Sequence, residues 1–143
     1  MSYLLDINVL LALAWPNHVH HGPARTWFAA SHAMGWMTCG VTESGFIRVS
    51  SNVRVTPDAR TPAEAAMLLN RICALDGHAF VADSVSLADA HTLLGQIAPS
   101  SAAVVDAHLI LLANAAGATF VTFDRKAAKT AEKVGVPVTL LMQ

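Results

Sequence analysis

The strongest constraint on this chain is an alternation. Short apolar runs with strand character are separated by longer segments with helical spacing, and the pattern continues along the whole length. Tyr3-Leu4-Leu5-Asp6 reads as a buried strand, too apolar to alternate. Asn8 to Trp15 reads as a helix stopped by Pro16, and His21 to Ala33 as a second, with Pro23 in its first turn. A strand over Gly35–Cys39 and a helix over Val41–Ser51 follow, then a polar loop over Asn52–Arg60. Thr61-Pro62-Ala63-Glu64 has the composition of a capped helix start, and that helix runs to Asp76-Gly77. Beyond it the spacing predicts a strand over Ala79–Val81, helices over Ser86–Gly95 and Ala103–Ala116, and a strand over Ala118–Phe123. A basic amphipathic helix over Arg125–Val134 and a last strand over Val138–Met142 complete the chain. Strands that alternate with helices predict an α/β sandwich, a central mainly parallel sheet covered on both faces. At 143 residues, positions 1–143 are expected to form one domain.

Composition narrows the reading further. Hydrophobic residues make up 54% of the chain and charged residues only 13%, which excludes disorder. Cys39 and Cys73 form no CxxC pair, lie in apolar stretches, and read as buried thiols in a reducing compartment. Asp6 interrupts the apolar N-terminus, which lacks the basic start of a signal peptide, and no apolar run approaches the ~20 residues of a membrane span. A soluble, cytoplasmic protein with no membrane partner is the expectation. Nine Lys and Arg against ten Asp and Glu do not by themselves favour nucleic acid, though they leave room for a local basic face.

With acids so few, their positions carry information. Asp58, Glu64, Asp76 and Glu132 fall in turns, caps or polar helix faces and read as solvated charge, while Asp83 and Asp89 are ambiguous. Four others stand in apolar surroundings. Asp6 ends the first strand, Glu43 begins a helix after the second, Asp106 lies early in the most apolar helix, and Asp124 ends the strand at Thr119–Phe123. Taken singly, Asp6, Asp106 and Asp124 read as helix caps. Taken together, all four come from strand ends or helix starts, which share one edge of a parallel sheet, the edge where ligands bind. Carboxylates gathered there repel one another unless a cation sits among them, and oxygen-only ligation suits Mg²⁺ or Mn²⁺. Such an ion neutralises phosphate and activates water.

These residues resemble the motifs of the PIN-domain ribonucleases, specifically the VapC-type toxins of bacterial toxin–antitoxin pairs. Leu4-Leu5-Asp6-Ile7-Asn8 is similar to the family's opening motif, and Thr42-Glu43-Ser44-Gly45-Phe46-Ile47-Arg48 to its second. Asp106-Ala107-His108-Leu109 and Thr122-Phe123-Asp124-Arg125 resemble the third and fourth. The chain departs from the pattern at Ile7 and Val53, where many relatives carry a hydroxyl residue and Pro, and at Arg125-Lys126, where Gly-Phe is common. The resemblance implies a PIN-like sandwich and Mg²⁺- or Mn²⁺-dependent endonucleolytic cleavage of RNA by metal-activated water, with tRNA or rRNA as targets. It implies a homodimer and inhibition by a cognate antitoxin. Asp6, Glu43, Asp106 and Asp124 would hold the metal, Asp6 and Asp106 closest, and Asn8 and Thr122 would orient them.

The remaining features are weighed beside this. His18, His20 and His21 read as a solvated loop rather than a zinc site, with base stacking as a minor role. His108 is expected to face away from Asp106. Trp15, Trp27 and Trp36 read as core or dimer contact. Arg25, Arg48, Arg125 and Lys126 are candidate RNA contacts, with Lys129 and Lys133 extending the basic face of the late helix. Two alternatives compete: an Mg²⁺-binding receiver-like signalling domain, and a catalytically silent protein-binding domain on the same fold. The receiver would need an acidic pair at the first strand and a late Lys in the sheet, whereas Asp6 stands alone there. No P-loop or dinucleotide fingerprint occurs.

Overall fold

A computed structural model describes residues 2–142. Among the described residues there are five strands: β1 (Tyr3–Leu5), β2 (Trp36–Thr38), β3 (His78–Phe80), β4 (Thr119–Thr122) and β5 (Val138–Leu140). They form one sheet in the order β3-β2-β1-β4-β5, and every pairing is parallel. The helices are α1 (Ile7–Ala14), α2 (His21–Ser31), α3 (Gly40–Ser50), α4 (Pro62–Cys73), α5 (His91–Ile97), α6 (Val104–Ala115) and α7 (Arg125–Lys133).

Both faces of the central strands β2, β1 and β4 are covered, which explains why those strands lack alternation. Successive side chains point to opposite faces, so Leu4, Met37 and Phe120 pack against Leu109, Leu112 and Ala131 of α6 and α7. Their neighbours Leu5, Trp36 and Val121 pack against Val9, Phe28, Phe46 and Leu69 of α1 to α4. Two glycines permit close approaches. A Cβ on Gly45 of α3 would overlap Ile7 Cδ1 and stand 2.9 Å from its Cγ1, so any larger residue there pushes the Ile7 side chain aside where α3 meets the start of α1. Gly77 has φ +88° and faces the His32 carbonyl, which shapes the turn before β3.

The order β3-β2-β1-β4-β5 bears on the alternatives. The chain builds outward from β1 through β2 to β3, then returns to place β4 on the other side of β1. The topological switch therefore lies between β1 and β4. A receiver-like fold has the order 2-1-3-4-5, so the topology here is a different one.

Several expectations need correction. The helix expected over Ser86–Gly95 begins only at His91. Ser86 Oγ accepts from Asp89 N–H and the Ser86 carbonyl accepts from Ala90 N–H, and these bonds hold the first residues in a turn. The histidine loop is packed rather than solvated: His20 stacks on Phe123 at 4.6 Å, and His21 Nδ1 lies 2.7 Å from the Ala12 carbonyl. Of the two thiols only Cys39 is buried; Cys73 is half-exposed at the end of α4. Trp36 is a core residue, and Trp15, only partly buried, donates from Nε1 to Ser50 Oγ.

Candidate metal-binding site

The site grows from the switch point. Asp6 follows β1 and caps α1: its Oδ1 accepts from Ile7 N–H at 2.7 Å. Asp124 follows β4 and caps α7, its Oδ1 accepting from Lys126 and Ala127 N–H. Both capping expectations hold, and the caps aim two carboxylates at one sheet edge. Asp106 is different. Ala103 is the N-cap of α6 and makes no side-chain bond, so Asp106 lies within the first turn, free of any capping duty.

Thr122 organises the centre. Its hydroxyl, fully buried, donates to Asp6 Oδ2 at 2.7 Å and accepts from Asp124 N–H at 3.0 Å. Asn8 Nδ2 donates to Thr122 Oγ1 at 3.5 Å, and Asn8 Oδ1 accepts from Phe123 N–H at 3.4 Å. Asn8 and Thr122 thus tie the ends of β1 and β4 together across 114 positions.

The electrostatics follow from burial and mutual repulsion. Burial pushes the Asp6 carboxyl up, the bonds from Thr122 and Ile7 N–H oppose that, and the charge of Asp124 adds to it. Asp106 is pushed up to about 6, first by burial and then by the charges of Asp6 and Asp124. Three aspartates therefore share one field. Among the described residues none of them has a cationic partner, since the single ion pair joins His108 to Asp83. A self-repelling set of carboxylates, buried at Asp6, half-buried at Asp106 and exposed at Asp124, with no ion-pair partner among the described residues fits a hard divalent cation.

Glu43 takes other partners. Its Oε2 accepts from the Thr38 hydroxyl at 2.7 Å, and its carboxylate lies beside Cys73 and His78. It is not among the charges that raise Asp6 or Asp106. Nothing in the spacing of Glu43 pointed to Thr38 or His78; the parallel register of β2 on β3 brings those two together. His108 spends its Nε2 on Asp83 Oδ2 at 2.7 Å, on the loop after β3.

The basic candidates divide. Arg125 and Lys126 are exposed in the first turn of α7, directly after Asp124. Arg48 is exposed in the last turn of α3, and Arg25 lines a cavity between α1, α2 and the end of α4.

Comparison with known proteins gives a consistent picture. The PIN domain family model matches residues 3–133. The chain is 47% identical over 121 residues to "Ribonuclease VapC38" of Mycobacterium tuberculosis, covering 85% of this chain and 84% of the relative. It is 43% identical over 131 residues to "Ribonuclease VapC39" of the same species, covering 92% and 94%. Among solved structures, Mycobacterium tuberculosis VapC20, a sarcin-ricin loop cleaving toxin, superposes with a TM-score of 0.69 at 18% identity, covering 90% of this chain and 94% of that one. FitAcB from Neisseria gonorrhoeae superposes at 0.68 with 16% identity, covering 95% of each. At those identities the structural likenesses speak to the fold.

Proposed function

Because the chain belongs to the PIN-domain family, we propose that it is the toxin endoribonuclease of a toxin–antitoxin pair, cutting RNA with Mg²⁺ or Mn²⁺ held at the aspartate cluster. The observation that carries this reading is the meeting of Asp6, Asp106 and Asp124 at the switch point without a counter-charge. The relatives named ribonucleases, at 40–47% identity over most of the chain, support the activity.

Asp6 and Asp106 are the ligands nearest the ion in this reading, with Asp124 beside them. Glu43 joins directly or through water if its carboxylate turns away from Thr38. A bound divalent ion supplies charge neutralisation at the scissile phosphate and activation of a water. The chain's own residues do the rest. Thr122 and Ile7 N–H hold both oxygens of Asp6 in fixed directions, so the carboxylate is preorganised. Asn8 keeps the β4 end against α1. Arg125 and Lys126 track the phosphate backbone beside the acids, giving a cationic rim around an acidic centre; Arg25 and Arg48 are the more distant RNA contacts. The substrate is a structured tRNA or rRNA, the partner an antitoxin protein, the working form a homodimer, and the compartment the cytoplasm.

The test is cleavage of total bacterial RNA by the purified protein, with ends mapped, at zero and millimolar Mg²⁺ or Mn²⁺. Wild type should cut only with metal and leave 5′-phosphate ends. Folded Asp6→Ala and Asp106→Asn proteins should not cut. Cleavage retained by Asp106→Asn, or undiminished in chelator, would sink the proposal.

A further inference from the structure

Outside the aspartate cluster, one group of side chains has the chemistry of a different ion. Glu43 of α3, Cys73 at the end of α4 and His78 at the start of β3 each offer a ligand atom, and the three atoms lie within 4.8 Å of one another. All three residues are half-buried and line an open cavity of about 430 Å³, with Asn70 and Leu69 on its wall. The Thr38 hydroxyl donates to Glu43 Oε2 at 2.7 Å and stands 2.8 Å from His78 Nε2, so it pins the carboxylate and the imidazole side by side.

We propose that Glu43, Cys73 and His78 form a second cation site, of zinc type, distinct from the aspartate cluster. Thiolate and imidazole donors exclude Mg²⁺ and select zinc, which takes mixed S, N and O ligands in a tetrahedron. Bond lengths of ~2.0–2.3 Å put the ligands of such a tetrahedron ~3.3–3.6 Å apart. From separations of at most 4.8 Å, the trio needs to close by no more than about 1.5 Å. Three protein donors leave the fourth position to water, as at an open zinc site. Binding exchanges the Thr38 contacts of Glu43 and His78 for bonds to the metal, leaves the imidazole proton on the ring nitrogen that does not bind, replaces the Cys73 S–H bond by a sulfur–metal bond and releases the thiol proton to solvent. The site ties the α4–β3 connection to α3. It shares Glu43 with the nuclease reading, and a carboxylate held here is one that has not turned toward the aspartates; Cys73 and His78 have no part in that chemistry.

Cobalt(II) is the probe, because a cobalt–thiolate bond gives an intense near-ultraviolet charge-transfer band. The reduced, chelator-treated full chain should develop that band at one equivalent of Co²⁺. Zinc should abolish it, and a hundredfold excess of Mg²⁺ should not. Cys73→Ser should lose the band, and His78→Gln should weaken cobalt and zinc binding at least tenfold. Cys39→Ser should keep the band, and so should Asp106→Asn, which separates this site's failure from failure of the nuclease reading. Absence of the band in wild type overturns the proposal without recourse to any variant. So does a band that survives Cys73→Ser, or zinc uptake unchanged in both Cys73→Ser and His78→Gln.

Discussion

Asp106→Asn should make the metal-free protein more stable while it removes the activity. Asp106 has an ordinary carboxyl value of 3.8 when unfolded and is pushed up to about 6 when folded. An acid with a raised folded value holds its proton more tightly in the folded state. Its stabilising contribution is complete below about 3.8 and is lost as pH rises through about 6. The full shift corresponds to about 3 kcal/mol, from ~1.4 kcal/mol for each pH unit. Asp106 is only half-buried, so solvent screening reduces this to about 1–2 kcal/mol. Asparagine is a neutral isostere and keeps the low-pH condition at every pH. In chelator at pH 7.5 the variant should therefore melt about 3–8 °C above wild type, using ~3–4 °C per kcal/mol for a domain of this size. The gain should shrink through pH 6 to 4 and vanish near pH 3.5. Added Mg²⁺ should raise the wild-type midpoint and leave the variant's nearly unmoved. A calorimetric melting series across pH checks all of this. A variant less stable than wild type at pH 7.5, or equally stabilised at pH 4 and 7.5, would refute the claim that the aspartates burden one another.

Other consequences follow from the same geometry. Protons and cation compete for Asp106, so Mg²⁺ affinity measured by calorimetry should fall steeply below pH 6, approaching tenfold per unit. Thr122→Val removes the hydroxyl that donates to Asp6 and accepts from Asp124 N–H; cleavage rate should drop at least tenfold in a protein that still melts cooperatively. Gly45→Ala forces Ile7 from its place between α1 and α3 and should destabilise by about 1–3 kcal/mol in urea titrations. Arg125→Ala with Lys126→Ala should weaken RNA binding and lower the slope of log K against log salt by about 1 for each charge removed.

The layers and most element positions were legible because strand and helix periods differ and because Pro62, Glu64 and the turn glycines mark boundaries. The Thr61–Glu64 capping box forms as its composition indicates, with Thr61 N–H donating to Glu64 Oε1 at 3.0 Å and Glu64 N–H to Thr61 Oγ1 at 3.2 Å. The boundary positions of Asp6, Asp106 and Asp124 were legible for a related reason: each stands at a strand end or helix start that topology sends to one edge. What local pattern could not reveal were side-chain pairings made across the fold. Glu43 bonds to Thr38, five positions back on β2, and its neighbour His78 arrives only through the β2–β3 register. The start of α5 was missed because serine side-chain bonds compete with the helix over 86–90, a contest that hydrophobic spacing does not register. His20, read as solvated, finds Phe123 across 103 positions of chain.

The place of β1 in the sheet sets a clock for the protein. The earliest of the five strands in chain order lies in the middle, with β2 on one side and β4 on the other. Its carboxylate is oriented by a hydroxyl 116 residues downstream. Domains that depend on such distant contacts fold late and slowly. Asp6 therefore waits, half-dressed, until nearly the whole chain has been synthesised and β4 has docked. No nascent fragment that stops before Thr122 contains the assembled centre.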